Sequence, residues 1–111
     1  MKAKVPKHLR PETRRWFAEI ADRFSLESHH WRLLLLAGEA WDEGVAAGAA
    51  LAEHGLTYLD RFDTPRARPE VAIRRDARIA FARMLRELGI DDAEIPTSPG
   101  FHPGRANARS K

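Results

Sequence analysis

The chain has 111 residues, with 19 Lys and Arg against 16 Asp and Glu, a formal charge of +3 and no cysteine. That length makes one small domain whose core is adequate but not generous, so a partner subunit would help it. Disulfides and thiolate metal sites are excluded, and the excess of base suits an anionic partner.

Residues 1–10 (MKAKVPKHLR) read as a basic, open, flexible arm, with Pro6 disfavouring helix before it. Lys4, Lys7, Arg10, Arg14 and Arg15 are opposed there by Glu12 alone. Pro11 suits the first turn of a helix, where its missing N–H costs nothing, and Trp16, Phe17, Ile20 and Phe24 give that helix a buried stripe. A turn at Ser25 is so short that the first two helices are expected to pack as a hairpin or a helix-turn-helix-like corner.

The stretch from Ser25 to Gly55 reads as one long central helix, with Ser25 as its cap and Gly55 as the left-handed residue that stops it. Trp31, Leu34, Leu35, Trp41, Val45, Ala49 and Ala52 recur at three- and four-residue steps, predicting one broad apolar face. Leu33 to Leu36 run all the way round the helix, which favours burial against a second copy of the chain. Trp31, Leu34, Leu35, Trp41 and Val45 are therefore the candidate oligomer interface. Gly38, Gly44 and Gly48 each weaken the helix by roughly 1 kcal/mol relative to alanine. Close approach of another helix, from the same subunit or a neighbouring one, would offset that.

Residues 56–68 lose the helical period, and Leu56, Tyr58 and Phe62 alternate with polar groups as in an extended segment or small β-hairpin. Pro65 and Pro69 mark the return to helix. Ile73, Ala77, Phe81, Met84 or Leu85, and Leu88 form the stripe of a third packing helix that Gly89 ends. Glu70 and Arg74 are spaced for an i, i+4 ion pair on it. The tail 91–111, with three prolines and two glycines, is expected to be disordered. The fold class expected is all-α, divided into the arm 1–10, a helical domain over 11–90, and the tail.

Catalytic chemistry is hard to find. His29 and His30 are adjacent, so on a helix they diverge by about 100° and miss the i, i+4 spacing of a helical metal site. Glu39, Asp42 and Glu43 crowd one region without a histidine or second acid pair to complete a site, and read as a solvated face or subunit contact. There is no phosphate-cradling Gly-rich loop and no nucleophile in a recognisable setting. A non-enzyme without metal or cofactor is expected. No apolar run is long enough to cross a bilayer, and the basic N-terminal residues lack a signal peptide's apolar segment, so a soluble intracellular protein is expected.

The positive signal is charge distribution: two basic poles flank an acidic middle. The first is the arm with Arg14 and Arg15; the second lies on the third helix, where Arg74, Arg75 and Arg78 stand among further arginines. A cationic arm leading into a short helix is a common grip on phosphates, which makes these eight residues the candidate DNA contacts.

The order of these features resembles a known family, the short helical small terminase subunits of tailed bacteriophages. The resemblance runs from Val5 to Ile90. It is carried by Pro6-Lys7-His8-Leu9 leading to Trp16, by a long helix ending in Gly55-Leu56-Thr57, and by Arg68-Pro69 opening a helix. That helix bears Arg75-Asp76-Ala77 and Phe81 and closes in Leu85-Arg86-Glu87-Leu88-Gly89-Ile90. The resemblance implies a non-catalytic helical subunit that assembles into a homo-oligomeric ring in the cytoplasm of an infected bacterial host. Such a subunit binds double-stranded viral DNA as packaging begins, passes it to the large terminase subunit and stimulates that partner's ATPase. Two other functions fit the residues: an oligomeric protein-interaction adaptor, and a small helix-turn-helix-like regulator, for which the central helix is too long and apolar to read a groove.

Overall fold

The computed structural model describes residues 4–90, and the expectations for the tail 91–111 and for the first three residues lie outside them. Three helices, α1 (Pro11–Arg23), α2 (Ser28–His54) and α3 (Pro69–Leu88), are joined by a four-residue turn and by a hairpin of β1 (Thr57–Leu59) and β2 (Pro65–Ala67).

Helix α2 starts two residues later than the Ser25 cap implied. Glu27, in extended conformation, precedes the helix, and its N–H donates to Nδ1 of His30 at 3.1 Å. His30 thus fills the place a Glu or Gln takes in a capping box. Over 27 residues the helix runs about 40 Å. It stops at Gly55, whose φ of 86° suits glycine but whose ψ is extended rather than in the left-handed helical region expected, whereas Gly89 ends α3 in that left-handed conformation at φ 76°.

Helices α2 and α3 make the main packing interface. Gly44 faces Ala77, Gly48 faces Arg74, and Trp41 meets Phe81, so positions that rise along α3 fall along α2 and the pair is antiparallel. Small residues on both helices let the backbones approach closely. The first connection is different: α1 touches α2 much less extensively, and the long-helix hairpin is α2 with α3 rather than α1 with α2.

The buried face of α2 is also rotated from the expected one. Leu34, Ala37, Gly38, Ala40, Ala47 and Leu51 are buried, whereas Trp41, Ala49 and Ala52 are exposed. On α3 only Ala77 is fully buried, and Ile73, expected inside, is exposed. Both helices are rich in alanine, which buries well on either side and blurs the contrast that a periodic pattern needs.

The core centres on Leu9, Phe17, Ile20 and Leu34, with Val5, Trp31, Leu35 and Leu88 packed around it. Residues 5–9 are therefore not an open arm. Leu9 is only 3% exposed. It lies over Gly38, where an added Cβ would come within 3.3 Å of both Leu9 Cδ1 and Thr13 Cγ2. Each of the three α2 glycines faces an element of its own chain.

The acids of α2 hold this N-terminal segment down. Glu39 Oε2 lies 2.8 Å from His8 Nε2, and Asp42 accepts from the Arg10 N–H and the Thr13 hydroxyl. Two of the three acids read as a solvated face or subunit contact are ties within the chain.

The hairpin pairs Thr57 with Ala67, Tyr58 with Arg66 and Leu59 with Pro65. Alternation places Tyr58, Asp60, Arg66 and Arg68 on one side and Leu59, Pro65 and Ala67 on the other. Every strand residue is exposed on both sides. The loop Arg61-Phe62-Asp63 turns through an Asp63 N–H to Asp60 O bond, with Asp63 at φ 60° in the left-handed position of a three-residue hairpin loop.

Candidate nucleic-acid interface

The segment before α1 and the first turns of that helix present the first group of cations. Lys4, Lys7, Arg10, Arg14 and Arg15 are all exposed. Arg10 is the residue before the helix, held extended by the proline that follows, and its guanidinium lies 3.5 Å from Glu12. That exposed pair contributes little to stability. The Glu12 carboxyl is drawn below its ordinary range chiefly by a backbone N–H at the helix start, with smaller contributions from Arg10 and Arg15 against some desolvation. Lys4, Lys7 and Arg14 have no acidic partner among the described residues, while Arg15 shares a shallow surface hollow with Glu12, Glu19 and Asp22.

The second group divides. Arg75 pairs with its neighbour Asp76 at 3.2 Å, on the surface. Arg74 is half-buried and runs across Gly48 rather than pairing with Glu70, and Glu70 Oε1 is shut from solvent without a hydrogen bond. Arg78 is exposed and lines a groove with Arg74, Trp41 and Phe81.

Aromatic contacts bring the two groups towards each other. Phe81 lies 5.7 Å from Trp16 and 5.0 Å from Trp41, centroid to centroid, so one ring joins all three helices. This contact sits one residue from Arg15 and three from Arg78. Guanidinium groups beside a half-exposed indole have the chemistry to pair with phosphates and to offer a stacking face.

The five interface candidates also separate. Leu34 is 0% exposed and has no surface left for a second copy. Trp31 stacks on Phe17 at 5.9 Å, and Leu35 packs on the same core. Only Trp41, 50% exposed, and Val45 open onto the groove between α2 and α3. Consecutive leucines gave no signal separating these roles, because a helix buried on two sides looks the same in sequence as one shared between subunits.

Sequence reasoning passed over the hairpin as a site, although its alternation was visible. Asp60 organises it: one carboxylate oxygen accepts the N–H groups of Phe62 and Thr64, and the other accepts Arg66 Nε at 2.9 Å. Those bonds, the Thr64 N–H first, hold its carboxyl below the usual range. Arg61 lies over Phe62 at 5.0 Å and Arg68 over Tyr58 at 6.0 Å.

Among the described residues no group of three or more His, Asp and Glu is placed to hold a metal ion, and no helix is long and apolar enough to cross a membrane. Comparison with protein-family models, curated proteins and solved structures gave no match.

Proposed function

We propose that this chain is a small terminase subunit: a non-catalytic homo-oligomer that binds viral double-stranded DNA and delivers it to the large terminase ATPase-nuclease in the host cytoplasm. The observation that carries the reading is the group of exposed cations Lys4, Lys7 and Arg14, without acidic partners among the described residues, in a chain whose sequence resembles that family. Weak phosphate contacts in one protomer become strong when an assembly presents many to the same duplex, because later contacts are effectively intramolecular. Arg78 and Arg75 extend the basic surface. The tail 91–111 is the proposed docking segment for the large subunit.

The test is duplex binding across a salt series. Because Leu9 belongs to the core, deleting residues 1–10 would damage the fold, and substitution is the cleaner probe. Replacing Lys4, Lys7, Arg14 and Arg15 by glutamine should weaken binding to any duplex. It should also reduce the slope of log K against log salt by about 0.9 for each phosphate that is no longer neutralised. An assembled oligomer that binds no duplex at low salt overturns the proposal in favour of a protein adaptor.

A further inference from the structure

The β-hairpin and the α2–α3 groove are separate surfaces, and each has chemistry the other lacks. The groove encloses about 310 Å³. Gly44, Gly48 and Ala77 give it a floor of small groups, Trp41 and Phe81 an aromatic side, and Arg74 and Arg78 a positive charge. Neither arginine has an acidic partner among the described residues. An apolar cavity of about 150 Å³ holds a benzene molecule, so there is room for a phenyl ring.

At the hairpin tip Phe62 is 71% exposed, and Leu59 on the apolar side is 63% exposed. A ring so exposed at the end of an ordered turn is held out from its own core, and its own groove is not where it sits. Beside it is Asp63, whose left-handed backbone is part of the turn and whose carboxylate has no partner among the described residues.

We propose that the hairpin tip of one copy inserts Phe62 into the α2–α3 groove of a second copy, with Asp63 facing Arg74 and Arg78. This rests on the homo-oligomer reading and names the contact that builds it. The occupant is a second copy because the same chain supplies an exposed ring and, in Asp63, a carboxylate for the two arginines, with Arg61, which lies over Phe62, turning aside to solvent as the ring enters. Since tip and groove are different patches, the contact is heterologous and each copy keeps one free tip and one free groove. Repetition then closes a ring when the rotation permits and otherwise grows a filament. The mode takes Arg78 out of the basic surface proposed for DNA and leaves Lys7, Arg14 and Arg75, on other surfaces, free for a polyanion.

The chain contains no cysteine, so engineered thiols report proximity without background. The full chain is first examined by sedimentation velocity. Phe62→Cys and Val45→Cys chains are then mixed and oxidised, with a Ser28→Cys chain at the far end of α2 replacing Val45→Cys as control. Assembly together with 62–45 linked dimers several-fold above the control supports the proposal. A Phe62→Ser chain should then sediment as smaller species that keep the helical circular dichroism of the parent, because an exposed side chain contributes little to the fold of one copy, while the concentration-dependent part of the thermal melt is lost. If the chain assembles but 62–45 links do not exceed the control, the tip-in-groove contact is overturned while the homo-oligomer stands, and the groove belongs to another partner. A chain that sediments as a monomer at every concentration overturns both.

Discussion

The Thr13 hydroxyl donates to Asp42 Oδ1 at 2.6 Å, while Oδ2 of the same carboxylate accepts the Arg10 N–H at 2.8 Å. No side chain at the start of α1 caps that helix. A carboxylate borrowed from α2 does so instead, where the helix dipole favours negative charge. Thr13 is buried, so Asp42→Ala leaves its hydroxyl without an acceptor and should destabilise the chain by about 1–3 kcal/mol. Asp42→Asn, which retains one acceptor oxygen, should cost less. Urea unfolding followed by circular dichroism measures both.

Leu34 and Leu36 are two positions apart and should behave in opposite ways. Leu34→Ala opens a cavity at the centre of the core and should cost about 2–5 kcal/mol. Leu36, nearly half exposed, should change stability by no more than about 0.5 kcal/mol. Equal costs in dilute solution would mean that the leucine run is covered in some other way.

Two glycines of α2 make a similar contrast. A Cβ at Gly48 would meet only the Arg74 side chain, at an ordinary 3.5 Å, so Gly48→Ala should gain up to about 1 kcal/mol of helix propensity. Gly38→Leu must displace Leu9 and Thr13 and should lose about 1–3 kcal/mol. Thermal melts of the two variants should move in opposite directions.

Acid should loosen the hairpin tip. The Asp60 carboxyl is depressed in the folded chain, so its stabilising effect is complete above the ordinary carboxylate value near 3.8 and is lost as pH falls through the lower folded value. Amide resonances of Phe62 and Thr64 should therefore shift on acid titration below about pH 4. An Asp60→Asn chain should show no such step at these two amides.

Most helix ends were legible because individual residues carry them: Pro11, Gly55, Pro69 and Gly89 stand where the helices begin or stop. The extended connection was legible from alternation. The start of α2 was not, because Ser25 is a common cap whereas a Glu27–His30 pairing has no distinctive pattern. Nor was the docking of residues 5–9, since one leucine among lysines reads as a solvated arm until Gly38 is seen to leave a space for it. Charge counts located both basic groups, but counts carry no direction, and only the packing separates Arg74 across Gly48 from Arg78 at the surface.

The hairpin adds almost nothing to the interior, since every residue of both strands is exposed. It is therefore a part that can be exchanged. Replacing residues 57–67 by a plain connector should leave the three helices folded, and under the proposed contact grafting a different tip sequence would change which chains recognise one another. Under the proposed tip-in-groove contact, a lineage carrying this protein could alter the affinity of subunit for subunit without renegotiating the fold, and related chains in one cell could stay apart by differing in a few exposed side chains.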